Sequence, residues 1–359
     1  MKILFFYKSY NPNERTAYTF PYSLAKHADV KYYSENRGAY TIEEKPTEKS
    51  IRWQTYGHLV YHGKLSESMD ALEIIKKLYP KDYPDAVINA FFPADAMMPK
   101  NFGKCKCLRV TWSLELHNTF SGSKLGHIRL KFCKENVNLV FKNYDQNNRL
   151  PASKLLEDTG VAVEMNRASI NTDHFYDKQL PKKYDVANIF GYNSPTTYPL
   201  RWKIHETLPK QKKWSYRVAW RVFIKGKEVE IPGERKTAGP RGEKYVDAIC
   251  QSRIFATGTG YFTPQYGIFV RKWLEVPACN TLLMIEKLIP PDDMNAMGFK
   301  PDINFVAINK DNFLERIQYY LSHPSEAKTI AQRGYELIRS KHSQDIRAKQ
   351  FIGKIKKYI

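Results

Sequence analysis

The sequence predicts an α/β protein made of two parallel-sheet domains. Three observations carry that expectation. Short apolar runs that end in polar loops alternate with stretches of helical period. This alternation stops near residue 178 and begins afresh at 183. The 359 residues are enough for about two domains of ordinary size. The expected division is 1–178, 183–341 and a final helix within 342–359.

In the first half, Lys2 to Tyr7 is an apolar run that breaks at polar residues 8–13, the pattern of a buried strand entering a loop. Residues 18–27 suit a helix and 30–33 a second strand. Met69, Leu72, Ile75 and Leu78 fall three apart, so 68–78 reads as an amphipathic helix. Residues 83–89, 107–112 and 138–141 read as strands, and the second leads into Ser113 to Asn118. In the second half, 183–192 reads as a strand ending at Gly191 and 200–208 as a helix. Residues 215–224 read as one strand ending at Lys225, and 231–244 as a solvated loop. A strand at 252–257, a helix start at 270–278, a strand at 281–285, a strand at 305–308 and helices at 311–321, 324–341 and 345–357 complete the pattern. Two such Rossmann-like sheets place ligands outside the C-terminal ends of their strands, and facing each other they enclose a cleft.

Charge and composition narrow the classes. Lys and Arg total 57 against 37 Asp and Glu, a net charge of +20. A basic surface favours phosphates, nucleic acid or an anionic membrane, although a generally basic surface without a specific partner explains the number equally well. Hydrophobic residues at 42% and charged residues at 26% exclude wholesale disorder. No apolar run nears the ~18 residues that cross a bilayer, and the N-terminal apolar stretch is too short for a signal peptide. A cytoplasmic protein is expected. The five cysteines are irregularly spaced, which favours buried free thiols over disulfides. The histidines show no metal-ligand pattern, so no metal site is expected.

The strongest local signal is GIFVRKWLEVPACN, residues 267–280. Lys272 and Glu275 are three apart and share a helix face. Cations at a helix start can hold a diphosphate, and a carboxylate one turn on can accept two ribose hydroxyls. From spacing alone, an i,i+3 surface ion pair is the simpler account.

The same stretch, with residues 305–343, resembles the C-terminal domain of GT-B glycosyltransferases of the "glycosyl transferases group 1" kind. His323-Pro324, Ala331, Gly334 and His342-Ser343 resemble the closing element of that domain. Ile189-Phe190-Gly191 followed by Arg201 resembles its opening, and Asn171 to Tyr176 the segment before the interdomain linker. The resemblance implies a GT-B fold with a C-terminal helix returning to the first domain. It also implies transfer from a UDP- or GDP-sugar to a glycan or glycoconjugate, without metal; the relatives suggest retention, whereas a carboxylate base at Glu115 would suggest inversion. Glu275 would bind ribose. Lys272, with Arg271 beside it, would neutralise the diphosphate, and Arg201 and Lys203 would meet it from the other side. Gly191 would admit the phosphates to backbone, and Lys225 would end a strand near the base. Gly267 stands where many retaining relatives carry a donor-sugar glutamate, and Asn280 where the usual residue is glycine. His117, or Glu115 as a base, would serve the acceptor side.

Two other readings remain at this level. DNA could be the acceptor, or a degenerate transferase fold could bind a polyanion such as DNA or a membrane surface. The returning C-terminal helix that the resemblance implies would leave Lys354, Lys356 and Lys357 exposed, where they could face an anionic surface.

Overall fold

The computed structural model describes residues 1–8, 20–35, 70–91, 99–113, 124–142, 156, 158–190, 195–218, 221–225, 227–229, 240, 242–263, 266–289 and 291–359. The chain divides into two units, Met1–Ser169 with Gln344–Ile359, and Ile170–Ser343.

The first unit is built on six parallel strands: β1 (Lys2–Lys8), β2 (Asp29–Glu35), β3 (Ala86–Phe91), β4 (Leu108–Ser113), β5 (Leu139–Lys142) and β6 (Ala162–Met165), in the order β2-β1-β3-β4-β5-β6. Alternate residues of a strand face opposite sides, so β1 feeds two cores. Leu4 and Phe6 pack with helix Ala71–Leu78, which Asp70 caps through the Leu72 N–H at 2.8 Å. Ile3 and Phe5 pack on the other face with Phe20 and with Ala348, Phe351, Ile352 and Ile355 of the terminal helix Gln344–Ile355. The Phe351 ring lies 4.1 Å from that of Phe141. Lys354 does not stand free for an anionic partner. It bonds Glu164 at 2.9 Å and the Met165 carbonyl. Lys356 and Lys357 are exposed.

The second unit holds β7 (Tyr184–Asn188), β8 (Tyr216–Val218), β9 (Arg221–Ile224), β10 (Lys227–Val229), β11 (Ser252–Thr257), β14 (Leu282–Ile285) and β15 (Val306–Ala307), in the order β10-β9-β8-β7-β11-β14-β15. A separate ribbon pairs β12 (Gly260–Thr263) with β13 (Tyr266–Ile268). β7, β8, β11, β14 and β15 are parallel, while β9 runs antiparallel to both of its neighbours, β8 and β10. The expected single strand over 215–224 is therefore corrected to two antiparallel strands. Helix Glu243–Cys250 takes up residues 243–244, read from their charges as loop.

Residues 170–178 were expected in the first domain but pack in the second unit. Lys178 reaches Glu243 and Asp247 at 2.5 Å each, His174 lies 3.0 Å from Glu243, and the Phe175 ring is edge-on to Tyr245. The cysteines are free, four of them buried. Among the described residues no helix is long and apolar enough to cross a membrane.

Candidate functional site

The site forms where the parallel strands of the second unit end. The register Thr257↔Ile285 sets Gly258 and Thr259, which follow β11, beside Glu286, which follows β14. Helix Pro199–Thr207 begins above them, with proline at its first position, where the missing N–H costs nothing. Its carbonyl at Arg201 accepts from Asn188 Nδ2 at 2.9 Å, tying the helix to the end of β7.

Arg201 is 4% exposed. Its Nη2 donates to the Gly258 carbonyl at 3.0 Å, and its guanidinium lies 4.0 Å from the Tyr198 ring centroid. Burial lowers its pKa to about 10. The Gly258 position is filled to contact. A Cβ there would stand 2.8 Å from the Arg201 nitrogen, 3.0 Å from Glu286 Oε2 and 3.1 Å from Leu200 Cβ. Glycine is required here by close approach, not by backbone angle.

Helix Lys272–Ala278 supplies the second group. Lys272 Nζ donates to Glu275 Oε2 at 2.8 Å, and Tyr245 OH donates to the same oxygen at 2.8 Å. The Lys272 ammonium also lies 4.7 Å from the Tyr245 ring centroid. The side chains of Lys272 and Glu275 are 16% and 8% exposed, so this is not the solvated surface pair that spacing alone suggests. Burial pushes the Glu275 carboxyl up, but the charges of Lys272 and Arg271 outweigh it and the pKa falls below the ordinary value. Burial lowers Lys272 despite Glu275. Burial, with Glu275 adding to it, raises Tyr245 well above its usual range. Arg201 feels the charges of Glu275 and Glu286, so the two groups make one electrostatic cluster.

Residues 201–353 match the family model described as "Glycosyl transferase-like". Among solved structures, the UDP complex of Anabaena Alr3699/HepE superposes at a TM-score of 0.64 with 11% identity, over 100% of both chains. A glycosyltransferase from Rickettsia africae ESF-5 gives 0.63 at 13% identity, over 99% of this chain and 98% of that one. TarM gives 0.63 at 11%, with the same coverage. Residues 201–353 thus carry a glycosyl transferase-like domain, and the whole chain has the GT-B fold. A comparison with curated protein sequences finds no match.

The remaining expected donor-site residues of this chain fall into place unevenly. Arg271 directly precedes helix Lys272–Ala278, and its charge acts on both Lys272 and Glu275. Lys203 lies two residues past Arg201 on the same helix and is exposed where Arg201 is buried; a step of two residues turns a helix by about 200°. Gly267 lies in β13, where its N–H donates to the Ile289 carbonyl at 2.6 Å. Lys225 requires correction. Because β9 runs antiparallel to β8, its end at Ile224 and the Lys225 turn lie at the N-terminal edge of the parallel strands, opposite to Arg201 and Glu286. Asn280 ends helix Lys272–Ala278 in left-handed backbone, φ 52°, and donates to Asp177 Oδ2 at 3.0 Å. That geometry explains why glycine is usual there, and it makes Asn280 a helix-end residue. Gly191, Glu115 and His117 lie outside the described residues.

Sequence reasoning missed Tyr245 and Glu286; it places the loop that begins at Gly258 beside the ligand without giving Gly258 a role. Tyr245 sits just past residues whose charge reads as loop. Gly258-Thr259-Gly260 was visible as a G-x-G but lacks the rest of a dinucleotide fingerprint. Glu286 had a usable signal, as the first charge after the buried strand LLMI. Among the described residues no group of three or more His, Cys, Asp or Glu could hold a metal ion.

Proposed function

We propose that the transferase moves a sugar from a UDP- or GDP-sugar to a glycan or glycoconjugate, with retention and without metal. The observation that carries this reading is the buried cluster of Arg201, Lys272 and Glu275 at the C-terminal ends of parallel strands, where open α/β sheets bind ligands. That the HepE structures hold UDP and UDP-glucose supports the choice of donor class.

The residues divide the work. Both bonds to Glu275 fall on Oε2, and Oε1 is the oxygen assigned to ribose hydroxyls. Arg201, Lys272 and Arg271 face the diphosphate. As the bond from the sugar's anomeric carbon to the leaving oxygen breaks, the electron pair stays on the diphosphate. Cations fixed in a poorly solvated site stabilise that charge without reorganising. Protein cations alone serve this role in the proposal, which is why it is metal-free. His117 and Glu115, which follow β4 in the chain, are the candidates for the acceptor and for proton transfer.

The test is thermal unfolding with UDP, GDP, dTDP and their common sugars, with and without a chelator. A ligand at ~100 times its dissociation constant adds about 2.7 kcal/mol. The expected result is a clear rise for one nucleotide that survives the chelator. No rise at millimolar ligand overturns the nucleotide-sugar reading. A rise that the chelator abolishes overturns the metal-free one. The excess of positive charge keeps a DNA acceptor or a non-catalytic polyanion-binding role as a second reading; both predict salt-dependent duplex binding with a steep slope.

A further inference from the structure

We propose that Glu286 is a positioning residue of this site, one that holds the turn gripped by Arg201 and takes up a proton from solvent when a diphosphate binds there. The inference rests on the nucleotide-sugar reading above and adds a residue and a proton to it.

The geometry is a short chain of contacts. Glu286 Oε2 accepts the Thr259 N–H at 3.2 Å and the Thr259 hydroxyl at 3.4 Å, and Oε1 accepts Tyr261 OH at 3.3 Å. All three donors belong to the segment that begins at Gly258. The carbonyl of Gly258 takes the Arg201 guanidinium, and the space around its Cα is closed by Arg201, Leu200 and Glu286 itself. A change at the Glu286 carboxyl therefore reaches Arg201 through packed atoms, with no slack between.

The carboxyl is also poised to change. Its bonds are longer than the ~2.7–2.9 Å of charge-assisted ones, so they hold the ionised form weakly. Burial raises its pKa to about 7, opposed by the bonds from Tyr261 and Thr259 and by the charge of Arg201. The groups that face it are Arg201 from helix Pro199–Thr207 and Thr259 and Tyr261 from the neighbouring segment, and Glu275 also acts by charge on Arg201. A diphosphate that engages Arg201 cancels the cation that favours the carboxylate and adds negative charge beside it. Both effects favour the protonated acid.

Isothermal titration of the full chain with UDP-glucose, GDP-mannose and dTDP-glucose tests this, in buffers of different ionisation enthalpy. The diphosphate of a nucleotide sugar is a diester and exchanges no proton near neutrality, so proton uptake belongs to the protein. At pH 7.5 the expected uptake is about 0.7 proton, and affinity falls about three- to fivefold from pH 7 to 8. Glu286→Gln should bind with a flat pH profile and no uptake from this position. Tyr261→Phe removes a bond that favours the carboxylate, so it should move the profile to higher pH while leaving the carboxyl in place. Binding without proton uptake in the unaltered protein overturns the Glu286 role and leaves the donor reading standing. So does uptake undiminished in Glu286→Gln, or a profile unmoved by Tyr261→Phe. Failure to bind any of the three donors overturns the donor reading, and the Glu286 role falls with it.

Discussion

Breaking the Lys272–Glu275 pair one residue at a time separates its structural part from its binding part. The pair is closed at 2.8 Å with 16% and 8% of the two side chains exposed, and removing one partner of a buried pair costs about 3–5 kcal/mol. Lys272 keeps some solvent and the Tyr245 ring at 4.7 Å, which places Glu275→Gln at the lower end, about 3 kcal/mol. Lys272→Met leaves a buried carboxylate with Tyr245 as donor and Arg271 nearby, a smaller loss of about 2 kcal/mol. The double variant Lys272→Met/Glu275→Gln buries no unpaired charge and should lie within about 1 kcal/mol of the parent, because replacing both charges is often neutral. The coupling is then about 4 kcal/mol, far beyond the ~0.5 kcal/mol scatter of independent sites. Thermal unfolding reads it as a fall of roughly 6–12 °C for Glu275→Gln and near recovery in the double variant, at about 2–4 °C per kcal/mol for a unit of this size. Single variants within ~0.5 kcal/mol of the parent, or losses that simply add, would mean that the pair behaves as a screened surface contact. Nucleotide stabilisation should be lost in all three variants. A double variant that recovers stability and still binds nucleotide like the parent would remove the cluster from the donor site.

Two further outcomes follow from the turn beneath Arg201. Gly258→Ala forces a Cβ to 2.8 Å from the Arg201 backbone nitrogen; overpacking of this kind costs about 1–3 kcal/mol, measurable by thermal unfolding together with weaker nucleotide binding, and full stability with full binding would refute the close packing. Glu286 has a pKa near 7 in the folded chain against an ordinary 4.5, so between those values the folded state holds the proton that the unfolded state has lost. Its contribution is present below pH 4.5, declines as pH rises and is gone above 7, an effect of about 3 kcal/mol across the window. The stability difference between the parent and Glu286→Gln, followed from pH 5 to 8 by denaturant unfolding, should narrow or reverse along that slope, and a pH-independent difference would show that the carboxyl titrates normally.

Where local pattern determines structure, the sequence was legible. The buried strands LLMI and SRIFAT and the start of helix Lys272–Ala278 stand close to where periodicity puts them. Lys272 and Glu275 share a face because three residues on a helix always do. What periodicity does not contain is burial. Tyr245, thirty residues away in sequence, closes over the same oxygen as Lys272, and only the tertiary fold brings it there. Helix Lys124–Asn136 and strand Ala162–Met165 went unforeseen for a related reason. The helix is rich in lysine without a clean apolar stripe, and the strand is half-buried along its whole length.

Strand direction is the other quantity hidden from local pattern, and it decides which charges belong to the site. Lys225 and Glu286 look alike in sequence, since each follows a run of apolar residues that ends a strand. Glu286 follows β14, which is parallel to β11, so it arrives beside Gly258. Lys225 follows β9, which reverses after β8, so the same reasoning delivers it to the opposite edge of the sheet. The reversal turns on the link between Val218 and Arg221, too short for a crossover, which needs about a dozen residues. A count of residues between apolar runs would have flagged the turn there, had the run over 215–224 been read as two strands. The charge that follows a parallel strand is the one to place in the site, and by that rule Glu286 enters it and Lys225 leaves.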